Sequence, residues 1–197
     1  MTEINRRTYL SESLATILTL SLPMKIAPAS ELKSFFGETG QFIEMVPKTP
    51  IPDAKFTDIE GRDLAISDFE GRVLLMNIWA TWCPPCVREM PALDRLEADF
   101  GGKDFHVIPI SIDEEGASIV VPFFKDHGLT ALPIYLDPQQ RAVHFNSEEE
   151  REDTLPIYGL PISFFVDRDG KLLGYLAGAA DWDSEEPREF ITNLVQE

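Results

Sequence analysis

Residues 73–100 read VLLMNIWATWCPPCVREMPALDRLEADF, and the reading of the fold turns on them. Val73 to Ala80 form an apolar run broken only by Asn77, the pattern of a strand buried on both faces. Further on, Val87, Met90, Leu93, Leu96 and Phe100 recur at three- and four-residue steps, which predicts a helix with Pro91 as a kink inside it. Between strand and helix stand the chain's two cysteines, Cys83 and Cys86, with Pro84 and Pro85 between them. A C-x-x-C ring is too short to remove much loop entropy from the unfolded chain, so the pair is a poor staple. That argues for reactive use.

Working outward, the stretch from Ala54 to Arg72 holds short alternating runs around Glu60-Gly61 and reads as a hairpin. FHVIPISI (105–112) is a second buried strand. ASIVVPFFKDHGL (117–129) is a helix with Gly128 as its stop, and LPIYLD (132–137) a short strand. PQQRAVHFN (138–146) reads as a short helix, and the acidic run SEEERED (147–153) as a solvated loop. PISFFVDRDGKLLGYLAG (161–178) is a hairpin turning at Asp169-Gly170. Asp183-Ser184 open a last helix whose apolar face is Phe190, Ile191, Leu194 and Val195. Strands alternating with helices predict an α/β domain whose central sheet is covered by helices.

The chain has 197 residues, 44% of them hydrophobic, which suffices for one domain with a real core and an appendage. Its formal net charge of -17 repels nucleic acid and anionic membrane surfaces and suits a soluble acidic surface. At the N-terminus, Arg6-Arg7 precede a modest apolar stretch (14–22) and the small-x-small triplet Ala27-Pro28-Ala29. Residues 1–29 therefore have the outline of a bacterial export signal, and the Arg6-Arg7 pair with Tyr9-Leu10 and Lys25 resembles the twin-arginine type. Export would place the thiols in an oxidising compartment. The apolar stretch is too short for a bilayer, so membrane contact is expected only through an uncleaved N-terminus. Residues 30–50, ending in Pro47 and Pro50, read as a linker, and 51–197 as the domain.

With Cys83 at the N-cap of the helix, Cys86 falls at the third helical position. The first thiol then sits at the positive end of the helix, where a thiolate is favoured, and is the exposed attacking group. The second is the resolving thiol. The prolines belong in a first helical turn but have no N–H to donate. Only the Cys86 N–H remains as an obvious donor to the Cys83 sulfur. That predicts a moderately lowered Cys83 pKa and a relatively stable disulfide, the properties of a reductant. A zinc site would need further ligands, and His106, His127 and His144 stand far apart and unpaired. Copper carriage by the pair stays open as an alternative. No cofactor or resident metal is expected.

NIWATWCPPCVREMPAL (77–93) and GLPISFFVDRDGKLLG (159–174) together resemble the thioredoxin superfamily, nearest to its TlpA/ResA/CcmG-like branch of exported thiol-disulfide oxidoreductases. GAADWDSEE (178–186) is similar too, so the resemblance covers about residues 50–197. It implies a thioredoxin-like fold with a central mixed sheet and an N-terminal β-hairpin extension. It implies Cys83 as nucleophile, Cys86 as resolving thiol and Pro161 as a cis-proline bordering the substrate groove. Gly159-Leu160 would offer backbone groups to an extended substrate, and Trp82 would flank the attacking sulfur, with Pro84 and Pro85 in the same rim. Asn77 stands where thioredoxins carry a proton-shuttling Asp, and Glu89 matches the acidic residue kept near the pair in ResA-like proteins, an acid/base candidate. Leu155-Pro156-Ile157-Tyr158 echoes Leu132 to Tyr135, but Pro161 is preferred because the strand and Asp-Gly hairpin follow it at the right distance. The partners implied are protein disulfides, such as those of cytochrome c or copper-centre assembly factors, and an unidentified thiol electron donor, with the chain a monomer in the periplasm. A thiol peroxidase is a further alternative, since peroxiredoxins share the hairpin-plus-strand start.

Overall fold

A computed structural model describes residues 42–145, 151 and 153–196. The export-signal reading, the first part of the linker and most of the acidic loop lie outside the described residues.

The strands are β1 (Ile43–Pro50), β2 (Lys55–Asp58), β3 (Asp63–Ala65), β4 (Val73–Trp79), β5 (Phe105–Ser111), β6 (Tyr135–Leu136), β7 (Val143–Phe145), β8 (Leu155–Ile157), β9 (Ile162–Val166) and β10 (Lys171–Ala177). The helices are α1 (Pro84–Phe100), α2 (Ala117–His127) and α3 (Glu185–Gln196). Eight strands form one mixed sheet in the order β1-β10-β9-β4-β5-β6-β2-β3, while β7 and β8 make a separate parallel pair. β4 runs parallel to β5 because α1 crosses between them, and antiparallel to β9 on its other side. All seven residues of β4 are buried, as the unbroken apolar run predicts. β6 pairs with β5 only from Ile110 onward, one residue beyond Pro109, which has no N–H for a ladder.

The hairpin over Glu60-Gly61 is present as β2 and β3, and through β6 it extends the main sheet. Helix α1 continues through Pro91 to Phe100. Helix α2 ends, as expected, at Gly128 with φ 65°. Its Phe123 and Phe124 rings pack on Trp79, with centroids 5.2 and 6.0 Å away.

Two expectations fail. Residues 43–50 are not linker: they form β1, antiparallel to β10 at the sheet's edge, where a strand can carry Pro47 and Pro50. The signal lay outside the prolines. Phe42 is buried against Phe165 and Phe190, with ring centroids 5.6 and 4.9 Å away, and a buried Phe contributes about 2–3 kcal/mol. Gly174 in β10 makes room for this, since a Cβ there would sit 2.3 Å from the Phe42 ring and 2.4 Å from the Ile43 carbonyl oxygen.

Nor do residues 138–145 form a helix. Asp137 accepts the backbone N–H groups of Arg141 and Ala142 at 2.7 and 2.8 Å, and Gln140 takes φ 51°, left-handed backbone that no helix propagates. The chain leaves this turn as β7, with Val143 opposite Leu155 and Phe145 opposite Ile157.

Candidate active site

The site is built at the end of β4. Residues 80–82 turn the chain out of the sheet, with the Cys83 N–H donating to the Ala80 carbonyl at 3.2 Å. Cys83 is the N-cap of α1, with extended backbone (φ −98°, ψ 102°), and Pro84 and Pro85 follow as the first two helical residues. The Cys83 sulfur accepts the Cys86 N–H at 3.3 Å, the one donor that the prolines leave in the first turn. The two sulfurs are joined in a disulfide. No acidic residue occupies the first turn of α1, so nothing there offsets the positive helix end.

Exposure is lower than the sequence suggests. Cys83 is 5% exposed and Cys86 is fully buried, so the order is as expected but Cys83 is not openly exposed. Its neighbours account for this: Trp82 is 62% exposed, and Pro84 is exposed too, so they, rather than the sulfur, form the outer surface.

Glu89 lies three residues after Cys86, one turn along the same helix face. It is buried, and its carboxylate joins three segments. Oε1 accepts Asn77 Nδ2 of β4 at 2.8 Å, while Oε2 accepts the Ala180 N–H and Trp182 Nε1, each at 3.0 Å. Each of these three partners donates to the carboxylate. Asn77 Nδ2 also donates to Ser163 Oγ of β9 at 3.0 Å, which fixes the amide's orientation and leaves Oδ1 without a partner among the described residues. A polar cleft of about 250 Å³, lined by Arg88, Glu89, Arg95, Ala180, Asp181 and Asp183, reaches Glu89 from outside.

The Leu160–Pro161 peptide is cis, and Pro156 is not among the cis prolines. In the β4–β9 ladder Ile78 pairs with Ile162, so Pro161 stands one residue further, level with Trp79 at the end of β4 that carries the cysteine turn. Its carbonyl accepts the Gly178 N–H at 2.8 Å. Gly159 is exposed and Leu160 half-buried. Beside this loop lies an apolar groove of about 280 Å³ whose lining includes Met45, Pro156, Tyr158, Ile162, Phe164 and Tyr175.

The structure thus brings Cys83, Cys86, Trp82, Pro84 and Pro85 together on one turn, with Leu160-Pro161 at the same end of the sheet and Glu89 in the layer behind. Reading the sequence missed Ser163, which accepts from Asn77, and Trp182, which donates to Glu89. It also missed Asp113, just beyond β5, which is fully buried and holds Thr81 in the cysteine turn. Nothing local in ISIDEEG (110–116) marks that contact, which the alignment of β5 with β4 creates.

The Redoxin family model matches residues 47–189. The thiol-disulfide oxidoreductase ResA of Bacillus cereus is 30% identical over 145 residues, covering 74% of each chain. Among solved structures, a putative DsbE-type thiol:disulfide interchange protein from Chlorobium tepidum is 25% identical, with a TM-score of 0.60, covering 75% of this chain and 96% of its own. A secreted thiol-disulfide isomerase from Corynebacterium glutamicum, 20% identical, matches with a TM-score of 0.61 over 87% of this chain and 96% of its own, a likeness of fold alone. With a disulfide-bonded C-x-x-C at the helix N-terminus and a cis-proline at the same end of the sheet, the chain belongs to the Redoxin family, as a ResA-like thiol-disulfide oxidoreductase of the thioredoxin superfamily.

Proposed function

We propose that this protein reduces disulfides in exported proteins, among which cytochrome c and copper-centre assembly factors are the candidate substrates. An extended substrate segment docks along Gly159-Leu160-Pro161 as an added strand, with its apolar side chains in the groove beside Tyr158. The Cys83 thiolate attacks one substrate sulfur, forming a mixed disulfide and releasing the other sulfur as a thiolate. Cys86 then attacks Cys83, which releases the reduced substrate and leaves the protein as the disulfide. Both electrons come from the protein's dithiol, which a separate thiol donor restores. Glu89, at the floor of its polar cleft, exchanges the proton that Cys86 must lose before it can attack. Trp82, Pro84 and Pro85 form the rim over which the substrate approaches.

The reducing direction rests on one observation: the Cys83 sulfur has a single N–H donor in the first turn, from Cys86. A thiolate with few donors is less stabilised than one with several, and a less stabilised thiolate favours the disulfide. The Arg6-Arg7 segment supports export to the periplasm, where the chain acts as a monomer. Among the described residues no helix is long and apolar enough to cross a membrane.

Insulin reduction by the dithiol-loaded protein tests the reading. Wild type should turn over, Cys83→Ser should not, and Cys86→Ser should retain substrate as a mixed disulfide. A measured reduction potential near that of strong periplasmic oxidants, about −120 mV, would refute the reducing direction.

A further inference from the structure

We propose that Asp113 is a positioning residue for the cysteine pair, and that its clamp on Thr81 holds Cys83 ready to close the disulfide. Both carboxylate oxygens grip the same residue: Oδ2 accepts the Thr81 N–H at 2.9 Å and Oδ1 accepts Thr81 Oγ1 at 2.7 Å. Ser111 Oγ donates to Oδ2 at 2.7 Å, and accepts the Asp113 N–H at 3.1 Å. The support is itself rigid. Ser111 ends β5, in register with Trp79 at the end of β4, and the Ile112 N–H donates to the Trp79 carbonyl at 3.0 Å.

Thr81 precedes Cys83 by two residues, and the Cys83 N–H closes the same turn on Ala80. Cys86, in contrast, travels with α1, which is packed on the sheet through Met90, Leu93 and Leu96. When the disulfide opens, the distance between the sulfurs depends on how firmly the Thr81 side of the turn stays put. The clamp supplies that firmness from a strand, not from the helix carrying Cys86.

A buried carboxylate is a costly way to hold a turn, and here its three donors, from Thr81 and Ser111, are all neutral groups. A neutral amide could accept from Thr81 and donate to the Ser111 hydroxyl without burying a charge, so the fold alone gives little reason for the charge. The charge does bear on the reaction. A pre-set turn reduces the freedom lost on ring closure. A fixed negative charge close to the turn also opposes a second one on Cys83 in the reduced form. Both effects favour the disulfide, and both rest on the thiol-disulfide chemistry itself, whichever substrate the protein serves.

The test equilibrates wild type, Asp113→Asn and Thr81→Val with graded ratios of reduced and oxidised dithiothreitol. Asp113→Asn should lower the equilibrium constant for disulfide formation by about tenfold, which is about 30 mV for a two-electron couple. Thr81→Val keeps the backbone N–H bond and should give a smaller shift in the same direction, and the double variant should go no further than Asp113→Asn alone. The iodoacetamide reaction rate of Cys83 at pH 7 should rise in Asp113→Asn as the opposing charge is removed. A merely structural Asp113 would lower the unfolding midpoint and leave the equilibrium constant within twofold of wild type. That result, or a shift of opposite sign, overturns the proposal. If Asp113→Asn does not fold, an unchanged constant in Thr81→Val overturns it equally. The measurement needs no natural substrate, so failure of the proposed substrate class would not affect it.

Discussion

Glu89 and Asp113 are both buried carboxylates in the layer around the cysteines, and they are held in different ways. Glu89 draws donors from Asn77 of β4, from the Ala180 backbone and from the Trp182 ring, so one side chain ties α1 to β4 and to the segment before α3. Among the described residues Asp113 draws its side-chain donors from Thr81 and Ser111, and two of these three donors are hydroxyls that can rotate. Glu89 thus stands behind the helix that carries Cys86, and Asp113 behind the turn that carries Cys83. The difference teaches that the halves of the C-x-x-C are supported separately, one as part of the core and the other as an adjustable clamp.

The sharpest way to break this comparison is to truncate both side chains and unfold the oxidised proteins in urea. Glu89→Ala leaves three fixed N–H groups without an acceptor and should lose about 3–5 kcal/mol, given about 1–3 kcal/mol for each buried orphan and some relief from water entering the cleft. Asp113→Ala leaves only one fixed N–H and should lose about 2–3 kcal/mol. Equal losses, or the reverse order, would remove the distinction. A smaller effect is expected for Trp182→Phe, which keeps most of the ring's packing and deletes one donor while Ala180 still serves Oε2. It should lose about 1 kcal/mol in the same assay. A loss as large as that of Glu89→Ala would mean that ring packing, not the Nε1–H bond, ties this segment to the core.

The smallest effect lies on the outside of the same junction. Arg95 of α1 pairs with Asp183 next to Trp182, and its Nε lies 3.1 Å from both carboxylate oxygens. The hydrogen bond from Arg95 holds the Asp183 carboxyl below its ordinary value of 3.8. A depressed folded-state value means stabilisation that is present above the ordinary value and lost as pH falls through the folded one. Both side chains are largely exposed, so Arg95→Ala should lose about 0.5 kcal/mol or less at pH 7 in low salt. Wild type and variant should converge as the pH falls below 3.8 through the folded-state value, and in high salt, which thermal unfolding across that range would show.

How far the site was legible follows from the same geometry. Cys83, Cys86 and Glu89 share one helix, so spacing alone places them relative to each other. Asn77 is legible as the single polar residue in an apolar strand. Asp113 is not, because its neighbourhood with Thr81 comes from the register between β4 and β5, which no local pattern encodes. In the fold, the strands of the sheet centre announce themselves as apolar runs. β1 does not, because its prolines look like a linker and its anchors, Phe42 and Gly174, are 132 positions apart in the chain. The turn at 138–142 was hidden for a similar reason: Asp137 takes the N–H groups that a helix would have used.

The position of β1 bears on how such a protein keeps company with unfolded chains. An oxidoreductase that takes extended polypeptides as added strands presents itself to segments that would pair with any open ladder. Among the described residues the main sheet ends on one side at β1, interrupted by Pro47 and Pro50, and on the other at β3, three residues long and begun by Asp63. Neither offers a long row of free N–H and C=O groups. If substrates dock at the Pro161 loop as proposed, both borders of the sheet turn other segments away, and the prolines that disguised β1 as a linker also keep it from becoming a trap.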